Sequence, residues 1–300
     1  MTKIRTGVSD SVYDYIDRLS ASNIPNNTVA AYKRDLSKFV DFAISSGITD
    51  YSEISSDFVS AFKQHLIDIG LSVSSSSRTL SALRSFFSAL VEDGIMESNP
   101  AKAIHNDKPK TRDTNILTQK EIDLLLSQPD KTEPKGMRDR AMLELLYATG
   151  LKVSELIDLN IDDVNFQISF INVGSGSKER YIPLYKLALK SLSNYVTNGR
   201  KMLISSPDEK ALFVNCSGER MTRQGVWKIL KHYADMAGIK TDITPHTIRH
   251  SFAAHLLQNG ADIHDIQEIL GHSDIASTQR YAQFLKEKVK SSYIKFHPRA

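Results

Sequence analysis

Between residues 9 and 93 the chain repeats one pattern four times, and that repetition limits its fold more than any other feature. Apolar residues recur at i, i+3 and i+4 near 9–22, 28–46, 55–69 and 74–93, the spacing of one face of a 3.6-residue helix. Phe39, Phe42 and Ile44 mark the second stretch; Leu80, Leu83, Phe86, Phe87 and Leu90 mark the fourth. Gly47, Gly70 and Gly94 each stand just past one of these stretches, where a glycine can take the left-handed backbone that closes a helix. Asn27, and Ser55 or Ser56, occupy N-cap positions, and Ser74–Ser77 reads as a helix start. Four helices joined this tightly make a compact bundle.

Residues 105–116 break the pattern. They are polar, include Pro109 and have no apolar period, so they read as a linker between a first domain, residues 1–104, and a second, residues 117–300. The linker's cations, Lys108, Lys110 and Arg112, suit either a path along a phosphate backbone or a plain solvated tether. The second domain opens on a capping box, Thr118-Gln119-Lys120-Glu121, before an apolar run through Leu126. A helix near 136–149 stops at Gly150. Two β-rich runs, Ile168–Gly174 and Lys178–Leu184, flank Gly174-Ser175-Gly176-Ser177 as a hairpin. A further strand is expected at 211–215. Helices are expected at about 185–202, 222–237, 245–259 and 262–270, with a basic helical stretch at 285–295. The fold class that follows is mainly α, with a small antiparallel sheet in the second domain.

Composition narrows the function. Three hundred residues, 41% hydrophobic and 24% charged, suit a soluble two-domain protein. The single cysteine, Cys216, excludes an intramolecular disulfide and a thiolate metal cluster. Without an apolar leader or an eighteen-residue apolar run, a cytoplasmic location and no membrane partner are expected. Residues 117–300 carry 25 Lys and Arg against 21 Asp and Glu, and residues 1–116 carry 13 against 14. That bias is too small to select a partner.

The chemistry concentrates near the C-terminus. His246 and Arg249 in Pro245-His-Thr-Ile-Arg-His250 are three residues apart and share one helix face. His272 follows Gly271, and Tyr281 lies nine residues further on. Two imidazoles, a guanidinium and a phenol suit the gripping of a phosphodiester and its covalent attack. His246 and His250, at i and i+4, also have a zinc-compatible spacing, which would suit a metal-dependent hydrolase. Neither an HExxH glutamate nor a cysteine pair accompanies them, so no metal site and no cofactor is assigned. Trp227 and Arg223, on the helix opened by Thr222, could face DNA, or Trp227 could be core. His255 and His264 read as surface residues or supports.

Taken together, His-x-x-Arg-His at 246–250, Leu270-Gly-His-Ser273 and Tyr281, with Ala148-Thr-Gly-Leu-Lys-Val-Ser-Glu-Leu156 and Lys178-Glu-Arg180-x-x-Pro183 upstream, resemble the tyrosine recombinases (integrases), especially the bacterial Xer type. Leu80–Phe87, Asn99-Pro-Ala101, Met221-Thr-Arg-Gln224 and His297–Ala300 extend the likeness over nearly the whole chain. The resemblance implies an N-terminal SAM-like core-binding domain and an α-rich catalytic domain closing around duplex DNA, with four like or unlike protomers on paired sites. It implies site-specific recombination, resolving chromosome dimers or moving a mobile element. Tyr281 would attack a scissile phosphate to give a 3′-phosphotyrosine, which conserves the bond energy without ATP or metal. Arg249, His246 and His272 match family positions that stabilise the transition state, and Glu155 matches the acidic residue of the first motif. Arg84, Lys108, Lys110, Arg112, Arg180 and Arg223 are the cations expected to meet DNA.

Two positions depart from the family pattern. Lys152 stands where the family has its first arginine, which loses the planar fork that grips two phosphate oxygens. Ser175 stands where the hairpin lysine would protonate the leaving 5′-oxygen, and a hydroxyl is a poor acid. Lys178, three residues on, is a possible replacement. A DNA-binding homologue with weak or lost cleavage is therefore the alternative to an active recombinase.

Overall fold

The computed structural model describes residues 7–22, 24–48, 50–106, 115–176 and 179–271. The chain divides into two compact units, residues 1–112 and 113–300. In the first unit, helices α1 (Gly7–Ala21), α2 (Asn26–Ser45), α3 (Ser56–Asp68) and α4 (Val73–Glu92) follow the four periodic stretches. Their shared stripe is aromatic. The Phe39 ring meets Phe62 and Phe87 edge-on at 5.2 and 5.6 Å, and all three are fully buried. Rings of this size dominate the apolar area that such a core removes from water.

Gly47, Gly70 and Gly94 take φ of 77°, 78° and 71°, the left-handed backbone expected after each helix. Ser55 caps α3 by accepting from the Phe58 N–H. Two starts differ from expectation. α2 is preceded by Pro25, whose φ of −57° presets the first turn, and Asn27 lies inside the helix. α4 is capped by Ser72, two residues before the serine run. Ile44 is 39% exposed, because the buried stripe of α2 runs through Leu36, Phe39, Val40 and Ala43 and leaves Ile44 past its edge.

One buried charge ties α2 to α4. Asp35 is inaccessible to solvent and accepts from Arg78 at 2.7 and 3.0 Å and from Lys38 at 2.9 Å. Burial works to raise its pKa, but the two cations outweigh it and hold the carboxyl below its ordinary value. Arg84, expected to meet DNA, is engaged within its own unit. Its guanidinium donates to the carbonyls of Ala101 and Ile104 and to Asn106 Oδ1, bracing the segment that leaves α4.

The second unit opens on α5 (Gln119–Ser127) with both halves of the expected capping box in place. Helix α6 (Pro134–Thr149) is buried along most of its length and packs against α5 and two later helices, α8 (Lys186–Asn194) and α10 (Pro245–Gln258). It ends at Gly150, φ 60°. A short α7 (Val153–Asp158) follows. Strands β1 (Val164–Asn165), β2 (Phe170–Val173) and β3 (Arg180–Pro183) form an antiparallel sheet in chain order. Ile171 pairs with Ile182 on its buried face. α9 (Arg223–Met236) and α11 (Ile263–Leu270) complete the described helices. The stretch 285–295 lies outside the described residues.

One expectation fails here and another is met only in part. Residues 211–215 make only isolated bridges, Asn160 to Ala211 and Val214 to Arg220. Buried guanidiniums supply partners that a neighbouring strand would otherwise provide: Arg200 donates to the Ala211 carbonyl and Arg138 to that of Val214. The helix expected at 185–202 stops as α8 at Asn194, then widens into a π turn, Tyr195–Gly199, and tightens into a 3₁₀ turn, Arg200–Met202. Those last turns carry Arg200 inward, where it is buried.

Of the two readings of His255, surface or support, its burial at 8% exposure agrees with the support. Its Nδ1 lies 2.9 Å from the Tyr147 hydroxyl, and one turn earlier Ser251 Oγ accepts from the Leu117 N–H at 2.9 Å. Burial pushes the His255 pKa below 6.5, against a smaller opposing effect of the Leu117 backbone. The unfolded chain therefore takes up this proton more readily than the folded one. Stability from this site is complete above about pH 6.5 and is lost as pH falls through the folded pKa, by at most about 1.4 kcal/mol per pH unit. Urea denaturation between pH 7.5 and 5.5 is expected to show this slope, and His255→Gln to flatten it.

Candidate active site

Helix α10 is started by Thr244, whose Oγ1 accepts from the Thr247 N–H, and by Pro245 in its first turn, a position where proline's missing N–H costs nothing. This entry fixes the rotation of the helix. His246 stays exposed, while Arg249 turns inward and is 3% exposed. Its two terminal nitrogens donate to the carbonyls of Gly150, at 2.5 Å, and Leu270, at 2.7 Å. Both carbonyls lie at helix C-termini, where acceptors lack helical partners and the dipole is negative. One cation thus joins the ends of α6 and α11. The junction is tight: a Cβ on Gly150 would lie 2.5 Å from Phe252 Cδ1 and 2.8 Å from Leu270 Cδ2.

A second arginine gathers the neighbouring elements. Arg180 on β3 makes a bidentate pair with Glu155 on α7, both bonds 3.1 Å, and its Nε donates to the Ile269 carbonyl at 2.8 Å. Glu155 Oε2 also accepts from the Lys152 backbone N–H at 2.8 Å. Burial acts to raise the Glu155 pKa, but Arg180 and the Lys152 N–H outweigh it, so the carboxyl titrates below its ordinary range. Gly271, φ 63°, is pressed against this guanidinium, because a Cβ there would lie 3.0 Å from Arg180 Cζ. Arg180, expected to meet DNA, has its guanidinium in a clamp on α7 and α11.

Around the clamp opens a cleft of about 1120 Å³, lined by Lys152, Ser154, Glu155, Asp158, Gly174, Ser175, Glu179, Arg180, Tyr181, Asp265, Glu268, Ile269 and Gly271. It brings together Lys152, Glu155, Ser175 and Arg180, and Arg249 is tied to the ends of α6 and α11 through Gly150 and Leu270. The carboxylates Asp158, Glu179, Asp265 and Glu268 were not anticipated, since isolated acidic residues give no signal in sequence. Glu179 Oε1 accepts from Asn172 Nδ2 at 2.6 Å and from the Tyr181 hydroxyl at 3.3 Å, bracing the base of the hairpin. His246 and His250 have ring centroids 6.4 Å apart, and among the described residues no group of three or more potential metal ligands forms.

Arg223 begins α9 and is exposed. Trp227 is 46% exposed, with Lys231 Nζ 5.9 Å from its ring centroid, so it belongs to the surface rather than the core. Among the described residues no helix is long and apolar enough to cross a membrane. His272, Tyr281, Lys178, Lys108, Lys110 and Arg112 lie outside the described residues.

Comparison with known proteins agrees with this architecture. The sequence model of the phage integrase family matches residues 115–288, and that of the phage integrase N-terminal SAM-like domain matches residues 12–94. Tyrosine recombinase XerD of Staphylococcus epidermidis is 42% identical over 278 residues, covering 92% of this chain and 94% of the relative. Its namesake from Listeria monocytogenes is 41% identical over 297 residues, covering 98% and 100%. Among solved structures, the XerH site-specific recombinase bound to a palindromic difH substrate superposes with a TM-score of 0.77 at 21% identity, over 97% of this chain and 90% of that one. The Tn1549 transposon integrase in complex with a circular intermediate DNA gives 0.76 at 20% identity, over 96% and 100%. At those identities the structures speak for the fold. The family models and the two sequence relatives carry the assignment: the chain belongs to the tyrosine recombinase (phage integrase) family, Xer type, whose members cut and rejoin DNA through a phosphotyrosine.

Proposed function

We propose that this chain is a site-specific recombinase in which Tyr281 is the nucleophile and Arg249, His246, His272 and Lys152 attend the scissile phosphate. The observation that carries this reading is the convergence of Lys152, Glu155, Ser175 and Arg180 on one cleft, with Arg249 anchored to the C-terminal ends of α6 and α11. Tyr281 attacks phosphorus, the 5′-oxygen leaves, and the 3′-phosphotyrosine keeps the bond energy for rejoining. Charge-assisted hydrogen bonds from the cations stabilise the charge that develops on the phosphate oxygens. Neither ATP nor a metal takes part. The substrate is a pair of duplex sites, on chromosome dimers or on a mobile element, held by a tetramer of like or unlike protomers in the cytoplasm. Arg223 and the face of α9 that bears Trp227 and Lys231 supply DNA contacts, together with the cations of residues 105–116.

A second reading, a DNA-binding homologue with weak or lost cleavage, is favoured by Lys152 and Ser175. A nicked suicide duplex, selected by this protein from a randomised library, separates the two. The recombinase reading expects an SDS-stable protein–DNA adduct that EDTA does not diminish; salt-sensitive binding without an adduct establishes the second. Binding is expected to weaken with log K falling by about 0.9 per neutralised phosphate per log unit of salt. Loss of the adduct in EDTA, restored by zinc or magnesium, overturns the metal-free mechanism.

A further inference from the structure

We infer that Lys152 is the acid that protonates the leaving 5′-oxygen, so that the departures at positions 152 and 175 compensate for each other; this rests on the recombinase reading above. Expelling an alkoxide from a phosphodiester is slow unless a positioned group donates a proton as the P–O bond breaks. Among the described residues lining the cleft, four types of side chain carry a proton at neutral pH: those of Lys152, the serines, Arg180 and Tyr181. Arg180 cannot release one, since a guanidinium stays protonated in proteins, and three of its nitrogens are already committed to Glu155 and Ile269. The Tyr181 hydroxyl donates to Glu179. A serine hydroxyl such as that of Ser175 is too weak an acid.

Lys152 has what the others lack. Its ammonium is a proton donor on a flexible four-carbon stem, whereas an arginine at the same place does not give up its proton. The stem starts from a fixed point, because the Lys152 backbone N–H is held by Glu155, which Arg180 holds in turn. The side chain is exposed on the wall of the cleft that Ser175 also lines. Replacing arginine by lysine at 152 therefore weakens the phosphate fork and at the same time creates a proton donor in the cleft that lost one at 175.

In the step itself, the Tyr281 oxygen forms the new bond to phosphorus and the bond from phosphorus to the 5′-oxygen breaks. The phenolic proton leaves to solvent. The 5′-oxygen takes a proton from Lys152 Nζ, which becomes a neutral amine and is recharged from water, so protons balance over the step.

The test compares adduct formation on the selected suicide duplex with either oxygen or sulfur bridging phosphorus to the 5′-carbon. Sulfur leaves without protonation, so the ratio of sulfur to oxygen rates reports the acid and not the phosphate clamp. Wild type is expected to give a small ratio. Lys152→Arg, which keeps the charge and removes the acid, is expected to raise it by about 10²-fold or more. Adding Ser175→Lys to Lys152→Arg is expected to bring the ratio back towards wild type. An unchanged urea-denaturation midpoint in each variant shows that the second unit remains folded. An unchanged ratio in Lys152→Arg, a large ratio already in wild type, or a rise in Lys178→Ala instead each overturns the assignment to Lys152 while leaving the recombinase reading standing. If wild type binds the duplex but forms no adduct with either substrate, the recombinase reading falls and the assignment of Lys152 falls with it.

Discussion

Tyr281→Phe is expected to abolish the covalent protein–DNA adduct while leaving affinity for duplex DNA nearly unchanged. Only the attacking oxygen is removed, and phenylalanine keeps the aromatic ring. No neighbouring hydroxyl is expected to substitute, because attack on phosphorus requires the nucleophile opposite the leaving oxygen and a misplacement of about 1 Å costs on the order of a hundredfold. The check is an SDS-stable adduct on the suicide duplex, read beside equilibrium binding at one fixed salt concentration. An adduct from the Phe variant means that another residue is the nucleophile. A parallel loss of adduct and affinity means that Tyr281 supports the DNA-binding surface.

Arg249→Ala is expected to be nearly as severe in cleavage, and the structure adds a second consequence. Removing one group that stabilises transition-state charge costs about 10²–10³ in rate. The same change strips both carbonyls, those of Gly150 and Leu270, of a charged donor in a buried setting. Hydrogen bonds to charged groups contribute about 1.5–3 kcal/mol each, so a loss of several kcal/mol in stability accompanies the loss of rate. Arg249→Lys separates the two effects. It keeps the charge but has no fork with which to bridge two carbonyls, so it should recover part of the cleavage with little of the stability. Cleavage within about tenfold of wild type in Arg249→Ala, far below the usual cost, would make the buried brace its whole role.

Much of the first unit was legible because its signals are local. A repeat of 3.6 residues states which face of each helix is apolar, and glycines at 47, 70 and 94 mark where the backbone must turn left-handed. The same holds for the capping box at Thr118 and for the hairpin of β2 and β3, where alternating burial puts Ile171, Val173 and Ile182 inside. The family was legible for a related reason. Its motifs are short strings whose residue types are set by chemistry, and they keep their spacing along the chain.

What the sequence determined by itself was therefore the helical architecture, the small sheet, the family and the two altered positions. Partners across long separations were decided only by the tertiary structure. Nothing near Arg249 announces that it will join Gly150 to Leu270, and nothing near Arg180 announces Glu155. The same limit explains 211–215, whose β-like composition is overridden by Arg138 and Arg200 reaching its carbonyls from elsewhere. It also explains His255, drawn into the core beside Tyr147, and Trp227, left at the surface beneath Lys231. Periodicity reports which side of an element avoids water. Which buried acceptor a guanidinium finds depends on the packing of elements far apart in sequence, and no local pattern encodes that distance.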